Sequence, residues 1–170
     1  MAIPKGKDIS IMIWGAIYLG GRSDLFLMER DPESKRQGYS TNSYLAILED
    51  QIPRIWQPSL IFVQDNAPIH TAGKVKKWFE NKGITTVDWP PYSPDLNPIE
   101  HVWAKLKEWV CEYYPHLRDI GSGDEGYQTL WEAVKEGWEA LDQDYIDELI
   151  MSIEKRCEKV IEAEGWYTKY

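Results

Sequence analysis

The sequence predicts an α/β fold, a sheet with helices on its faces. Two observations carry that class. Short apolar runs of strand length alternate with longer amphipathic segments, the order in which such sheets are written. The first two apolar runs are separated by Gly20-Gly21, a break that suits an antiparallel hairpin.

The elements follow in order. Residues 9–19 are apolar and rich in β-branched and aromatic side chains, which predicts a buried strand. Residues 25–28 supply its hairpin partner. Residues 31–40, with Pro32 and Gly38, read as a loop. Thr41 or Asn42 can cap a helix to about Ile52, with Tyr44, Leu45, Ile47 and Leu48 on one side, and Pro53 and Pro58 bracket its end. Leu60-Ile61-Phe62-Val63 is continuous and apolar, the pattern of a strand buried on both faces. Thr71 opens another helix, with Val75, Trp78 and Phe79 as its buried stripe and Gly83 as its stop. Residues 84–89 form a strand. Residues 90–98 hold four prolines and make an ordered loop. From Ile99 to about Tyr114, apolar residues recur at spacings of three and four, an amphipathic helix that Pro115 ends. A connector over 119–126 leads to two helices, about 127–141 and 144–163.

Composition narrows the class. The chain has 170 residues, 43% of them hydrophobic and 28% charged, which excludes wholesale disorder. No run of 18 apolar residues exists, so no membrane-spanning helix is expected. The first eight residues lack the apolar stretch of a signal peptide. Cys111 and Cys157 stand outside any C-x-x-C spacing, which predicts a reducing compartment and neither a disulfide framework nor a zinc site. The net charge of −9 is uneven. Residues 1–118 hold 14 acidic and 14 basic side chains, whereas 119–170 hold 14 acidic and 5 basic. A neutral body over 1–118 therefore carries an acidic helical extension over 119–170. That charge gives no positive support for a nucleic-acid partner.

Two carboxylates attract attention, because ligands in α/β sheets gather at the carboxyl ends of strands. Asp65 directly follows the 60–63 run, in Gln64-Asp65-Asn66-Ala67-Pro68-Ile69-His70. Glu100 lies in the first turn of the long helix, in Ser93-Pro94-Asp95-Leu96-Asn97-Pro98-Ile99-Glu100-His101. Two converging carboxylates repel unless a cation lies between them, and magnesium takes a few carboxylates while keeping sites for water and phosphate. Plainer readings stand beside this one. Asp65-Asn66 is good turn chemistry. Asn97, Pro98 and Glu100 match a capping box. Asp95, between prolines, reads as a loop brace. His70 and His101 read as hydrogen-bonded histidines at helix ends. Lys74, Lys76, Lys77, Lys82, Lys105 and Lys107 could steer a phosphate backbone, and a solvated helix face explains them equally well.

The segments 64–71 and 89–103 together resemble the catalytic core of mariner-superfamily DDE transposases. Thirty-four residues separate Asp65 from Glu100, a spacing that this superfamily uses. Ile11-Met12-Ile13-Trp14-Gly15-Ala16 and Asn42-Ser43-Tyr44 are similar to the family's hairpin and first helix, and Gly165-Trp166-Tyr167-Thr168-Lys169-Tyr170 resembles the ending of fungal members. The resemblance implies a ribonuclease-H-like sheet with flanking helices and C-terminal helices, acting in cut-and-paste DNA transposition. It implies magnesium or manganese as cofactor, DNA as partner, the nucleus as location and a homodimer as an assembly. Residue matching makes Asp65 the second acidic ligand and Glu100 the third, both catalytic and metal-binding.

The family's first catalytic Asp belongs to a strand upstream of Trp14-Gly15. The expectation is that this central strand is lacking and that activity is impaired. Asp8 and Asp24 are the nearest acids, and neither has the right position. Without that strand its two neighbours lose backbone partners, at roughly 1–3 kcal/mol for each unmade buried hydrogen bond. The alternative reading is a non-catalytic, transposon-derived DNA- or protein-binding module that works through the acidic helices. A glycosidase also uses two carboxylates, but nothing else in the chain supports one.

Overall fold

The computed structural model describes residues 9–35, 37–91, 93–120 and 123–163. The expectations for Asp8 and for the 165–170 ending lie outside these residues. In chain order the elements are β1 (Ile13–Trp14), β2 (Ile17–Tyr18), β3 (Gly21–Arg22), β4 (Phe26–Leu27), α1 (Thr41–Ile55), α2 (Pro68–Thr71), α3 (Gly73–Lys82), α4 (Pro98–Tyr113), α5 (Asp124–Ala140), α6 (Gln143–Met151) and α7 (Ile153–Glu162). Short 3-10 turns cover Pro94–Leu96 and Pro115–Arg118. The chain forms two compact units. The first comprises Met12–Gly15 and Phe26–Tyr92, and the second Met1–Ile11, Ala16–Leu25 and Ser93–Tyr170.

In the first unit, β1 pairs antiparallel with β4, Ile13 opposite Leu27 and Trp14 opposite Phe26. The Trp14 and Phe26 rings meet edge to face at 6.4 Å, a favoured aromatic geometry. Helix α1 is capped by Ser40, one residue before the expected caps. The Ser40 hydroxyl donates to Asp31 Oδ2 at 2.5 Å and accepts from the amides of Asn42 and Ser43. Anchored by the loop, Ser40 reaches the orphan amides first. The helix also runs past Pro53 to Ile55. Proline removes one donor there, but Trp56 N–H still reaches Ile52 O at 2.8 Å.

The 60–63 and 84–89 runs do not make full strands. They meet in one parallel bridge, Phe62 with Thr86, held by Phe62 N–H on Thr85 O (2.8 Å) and Val87 N–H on Phe62 O (3.1 Å). Ile61 is 60% exposed and Val63 37%, so the expectation of burial on both faces is corrected. A side chain's face alternates along an extended segment. Phe62 points the other way and packs on Phe79 of α3, ring centroids 4.8 Å apart. A continuous apolar run cannot reveal that only one face is covered.

Helix α3 begins at Gly73, after the short α2 and an extended Ala72, not at Thr71. It stops at Gly83 as expected. Gly83 takes φ +64°, and Ile84 N–H closes the turn on Phe79 O at 3.0 Å. Val75 and Phe79 are buried and Trp78 is half-buried.

The second unit holds β2 and β3, paired Ile17 to Arg22 and Tyr18 to Gly21. Gly20 turns the hairpin at φ +79°, a conformation cheap only for glycine. The unit's core lies where α5 and α6 pack on α4. Val102, Leu106 and Val110 of α4 are fully buried, as are Leu130, Ala133 and Val134 of α5 and Ile146 of α6. Gly137 permits the close approach. A Cβ there would sit 2.7 Å from Leu106 Cδ1 and from Trp109 Cε3.

Trp138 joins the hairpin to this core. Its indole Nε1–H donates to Ser23 O at 2.9 Å, its ring stacks on Trp103 at 5.3 Å, and Arg22 lies over it at 5.9 Å. Arg22 also donates to Leu141 O and Glu139 O, at 2.7 and 3.0 Å, where orphan carbonyls of a helix end need donors. The single helix expected over 144–163 is two, separated at Ser152. The Ser152 hydroxyl donates back to Leu149 O at 2.7 Å, the local competition with helix bonding that serine provides.

Candidate active site

Asp65 stands in the first unit, just beyond the bridged Phe62. Its side chain is 53% exposed. Oδ1 accepts the Ala67 N–H at 3.0 Å and the ring of His70, whose Nδ1 lies 2.5 Å away. An ionised carboxylate only accepts, so His70 Nδ1 carries the proton. Asn66 donates to Trp89 O at 2.7 Å, which ties this segment to the end of the second run. The turn reading of Asp65-Asn66 is thus realised, and it directs the carboxylate rather than consuming it.

Behind His70 lies Tyr44 of α1, 1% exposed. The two rings stand 4.4 Å apart. Tyr44 OH donates to Gln64 Oε1 at 2.6 Å, and Gln64 Nε2 donates to His70 O at 3.3 Å. Burial pushes the Tyr44 phenol well above its ordinary range. A hydrogen bond with Trp14 opposes this, and the negative charge of Asp65 adds to it. Asp65 therefore has a buried brace from Tyr44, a helical residue more than twenty positions away. Tyr44 and Gln64 were visible in the sequence as an apolar helix position and a motif neighbour. Neither pattern reports that they meet.

Glu100 stands in the second unit, exposed, at the third position of α4. The expected capping box does not form. Asn97 is the N-cap, but its side chain makes no capping bond, and its own amide donates to Pro94 O at 3.0 Å. The 3-10 turn has taken the donor that a reciprocal box needs.

Arg156 of α7 holds this helix entry in place. It is buried, and its guanidinium donates to Asp95 O at 2.8 Å, to His101 Nε2 at 2.5 Å and to Ser152 Oγ at 2.8 Å. Arginine has no acceptor, so His101 Nε2 accepts and the ring proton lies on Nδ1. Sequence reasoning overlooked Arg156. The signal was a lone basic position on the apolar side of a helix whose three acidic and three basic side chains balance.

The lysines of α3 are exposed. Lys74 reaches Asn42 Oδ1 at 3.4 Å and Lys82 lies over Trp78 at 5.9 Å. Lys105 pairs with Glu108 at 3.7 Å. Among the described residues no group of three His, Cys, Asp or Glu side chains is arranged to hold a metal, and no helix is long and apolar enough to cross a membrane.

Short antiparallel ribbons, one parallel bridge and packed helices make a mixed α/β fold of the ribonuclease-H-like kind. Comparison with solved structures agrees. The catalytic domain of Mos1 transposase, solved with raltegravir and Mn, superposes with a TM-score of 0.72 at 23% identity, over 99% of this chain and 82% of that one. The Mos1 paired-end complex with the left transposon end gives 0.68 at 21% identity, over 99% and 48%. Among sequences, the Tcb2 transposase of Caenorhabditis briggsae is 33% identical over 166 residues, 95% of this chain and 55% of that relative. The chain thus spans about half the length of that relative. A DDE superfamily endonuclease model matches residues 11–120. The chain belongs to the DDE superfamily endonucleases, and its relatives are transposases of the Tc1/mariner group.

Proposed function

We propose that this chain is the catalytic part of a DNA transposase, in which Asp65 and Glu100 hold a divalent cation, magnesium or manganese, and DNA strands are cleaved and joined at transposon ends. The observation that carries the reading is the extent of the family match. It spans residues 11–120 and so takes in both the Gln64-Asp65-Asn66 segment and the string that ends at Glu100.

The donor chemistry fits such a cation. Magnesium is commonly held by one or two carboxylates, with water and phosphate oxygens filling the other positions. Asp65 offers an exposed, hard oxygen donor whose Oδ2 makes no hydrogen bond among the described residues. Glu100 offers a second exposed carboxylate. When bound, the cation would activate a water or hydroxyl nucleophile and stabilise the leaving oxygen. The chain's own part is to hold those two carboxylates still. Lys74, Lys76, Lys77 and Lys82 of α3 would add positive charge along a phosphate backbone.

Packing of α5 and α6 on α4 supports treating residues 119–170 as an extension of the catalytic domain begun in 1–118. Chromosomal DNA as substrate makes the nucleus the proposed location, and a homodimer is the proposed assembly.

The test is nicking of plasmid DNA that carries terminal repeats, with magnesium or manganese. The expected result is weak metal-dependent nicking that is lost in both Asp65→Ala and Glu100→Ala, since each removes an electrostatic stabiliser from the reacting centre. Nicking that survives both substitutions contradicts the reading.

A further inference from the structure

We infer that His70 is the positioning residue of the Asp65 carboxylate, locking Oδ1 so that Oδ2 is presented to a divalent cation. The inference rests on the metal-ligand reading of Asp65 given above.

An exposed aspartate has two free side-chain torsions and loses that freedom when it binds an ion. Here both hydrogen bonds converge on one oxygen, the Ala67 amide at 3.0 Å and the His70 ring at 2.5 Å. Two donors from different directions fix both torsions, and the other oxygen of this half-exposed side chain has no hydrogen bond among the described residues. His70 is itself held by several contacts. The backbone amide of His70 bonds to Ala67 O at 2.8 Å, its carbonyl receives Gln64 Nε2, and its ring packs at a 42° tilt against buried Tyr44. Gln64 and His70 flank Asp65 and are tied to each other, so the loop cannot rotate the carboxylate away without breaking several bonds at once. Groups that orient a metal ligand typically account for about 10–100-fold in metal affinity.

The experiment is titration of the full chain with Mn2+, followed by the electron paramagnetic resonance of the free ion, with circular dichroism melting in parallel. His70→Phe keeps a ring on Tyr44 and removes the donor. His70→Asn gives up the ring and keeps a donor, because its amide nitrogen falls where Nδ1 stood. The expected result is an affinity about 10–100-fold weaker in His70→Phe and close to wild type in His70→Asn. Should His70→Phe fail to fold, His70→Leu against His70→Asn makes the same comparison.

Equal affinity in all variants, or equal loss in the Phe and Asn variants, overturns the inference. Asp65→Asn is titrated alongside. If it weakens binding while His70→Phe does not, the inference alone fails. If Asp65→Asn binds as wild type does, the metal-ligand reading fails and the inference with it.

Discussion

Trp138→Ala lowers the free energy of unfolding by about 3–5 kcal/mol, the range for deleting a buried aromatic side chain. Trp138 is 2% exposed and three contacts depend on it. Its ring fills the space against Trp103, its indole satisfies Ser23 O, and its face supports Arg22. Alanine leaves a cavity and an unpaired carbonyl together. Trp138→Phe separates the two causes. It retains most of the ring and leaves Ser23 O without its donor, for about 1–3 kcal/mol. Urea unfolding followed by circular dichroism measures both, since eight other tryptophans obscure a fluorescence signal. A loss below about 1 kcal/mol in Trp138→Ala would show that this side chain does not anchor the hairpin to the helices.

Tyr44→Ala has an effect of similar size, about 3–5 kcal/mol, in the unit that carries Asp65. Tyr44 is nearly inaccessible and its hydroxyl bonds Gln64. Tyr44→Phe keeps the packing and costs about 1–2 kcal/mol through the unmatched Gln64 oxygen. It also changes the response to alkali. Burial raises the native phenol above its ordinary value of 10.0, so the native state holds a proton that the unfolded chain gives up. That contribution is complete below about pH 10 and is lost as pH rises from there toward the native value. Stability of the wild-type chain therefore declines more steeply above about pH 10 than that of Tyr44→Phe. Parallel curves for the two proteins would show that Tyr44 is not buried in neutral form.

Elements set by local chemistry were legible from the residues. The three-and-four spacing from Ile99 to Tyr113 marks α4, and Gly83 ends α3 because the turn needs a left-handed residue. Elements set by distant partners were not. The 60–63 run has strand composition, yet the exposure of Ile61 and Val63 depends on which neighbours lie beside it. Ser40 rather than Thr41 caps α1 because Asp31 holds it. The Asn97 box fails because the preceding 3-10 turn uses the amide.

The candidate site divides the same way. The motif string identified Asp65 and Glu100 as residues. The brace of Tyr44, Gln64 and His70, and the Arg156 grip on the α4 entry, join positions up to 61 residues apart. No periodicity records such pairings.

The central claim is that Asp65 and Glu100 serve one and the same ion. A double-mutant cycle on Mn2+ affinity tests it, using Asp65→Asn, Glu100→Gln and the pair in the full chain. Ligands of a shared ion are strongly coupled. Each single substitution should weaken binding about 10-fold or more, and the double variant should be no weaker than the worse single one by more than about 2–3-fold, within the error of such cycles. Losses that multiply in the double variant, or a single substitution that leaves affinity unchanged, would contradict the claim.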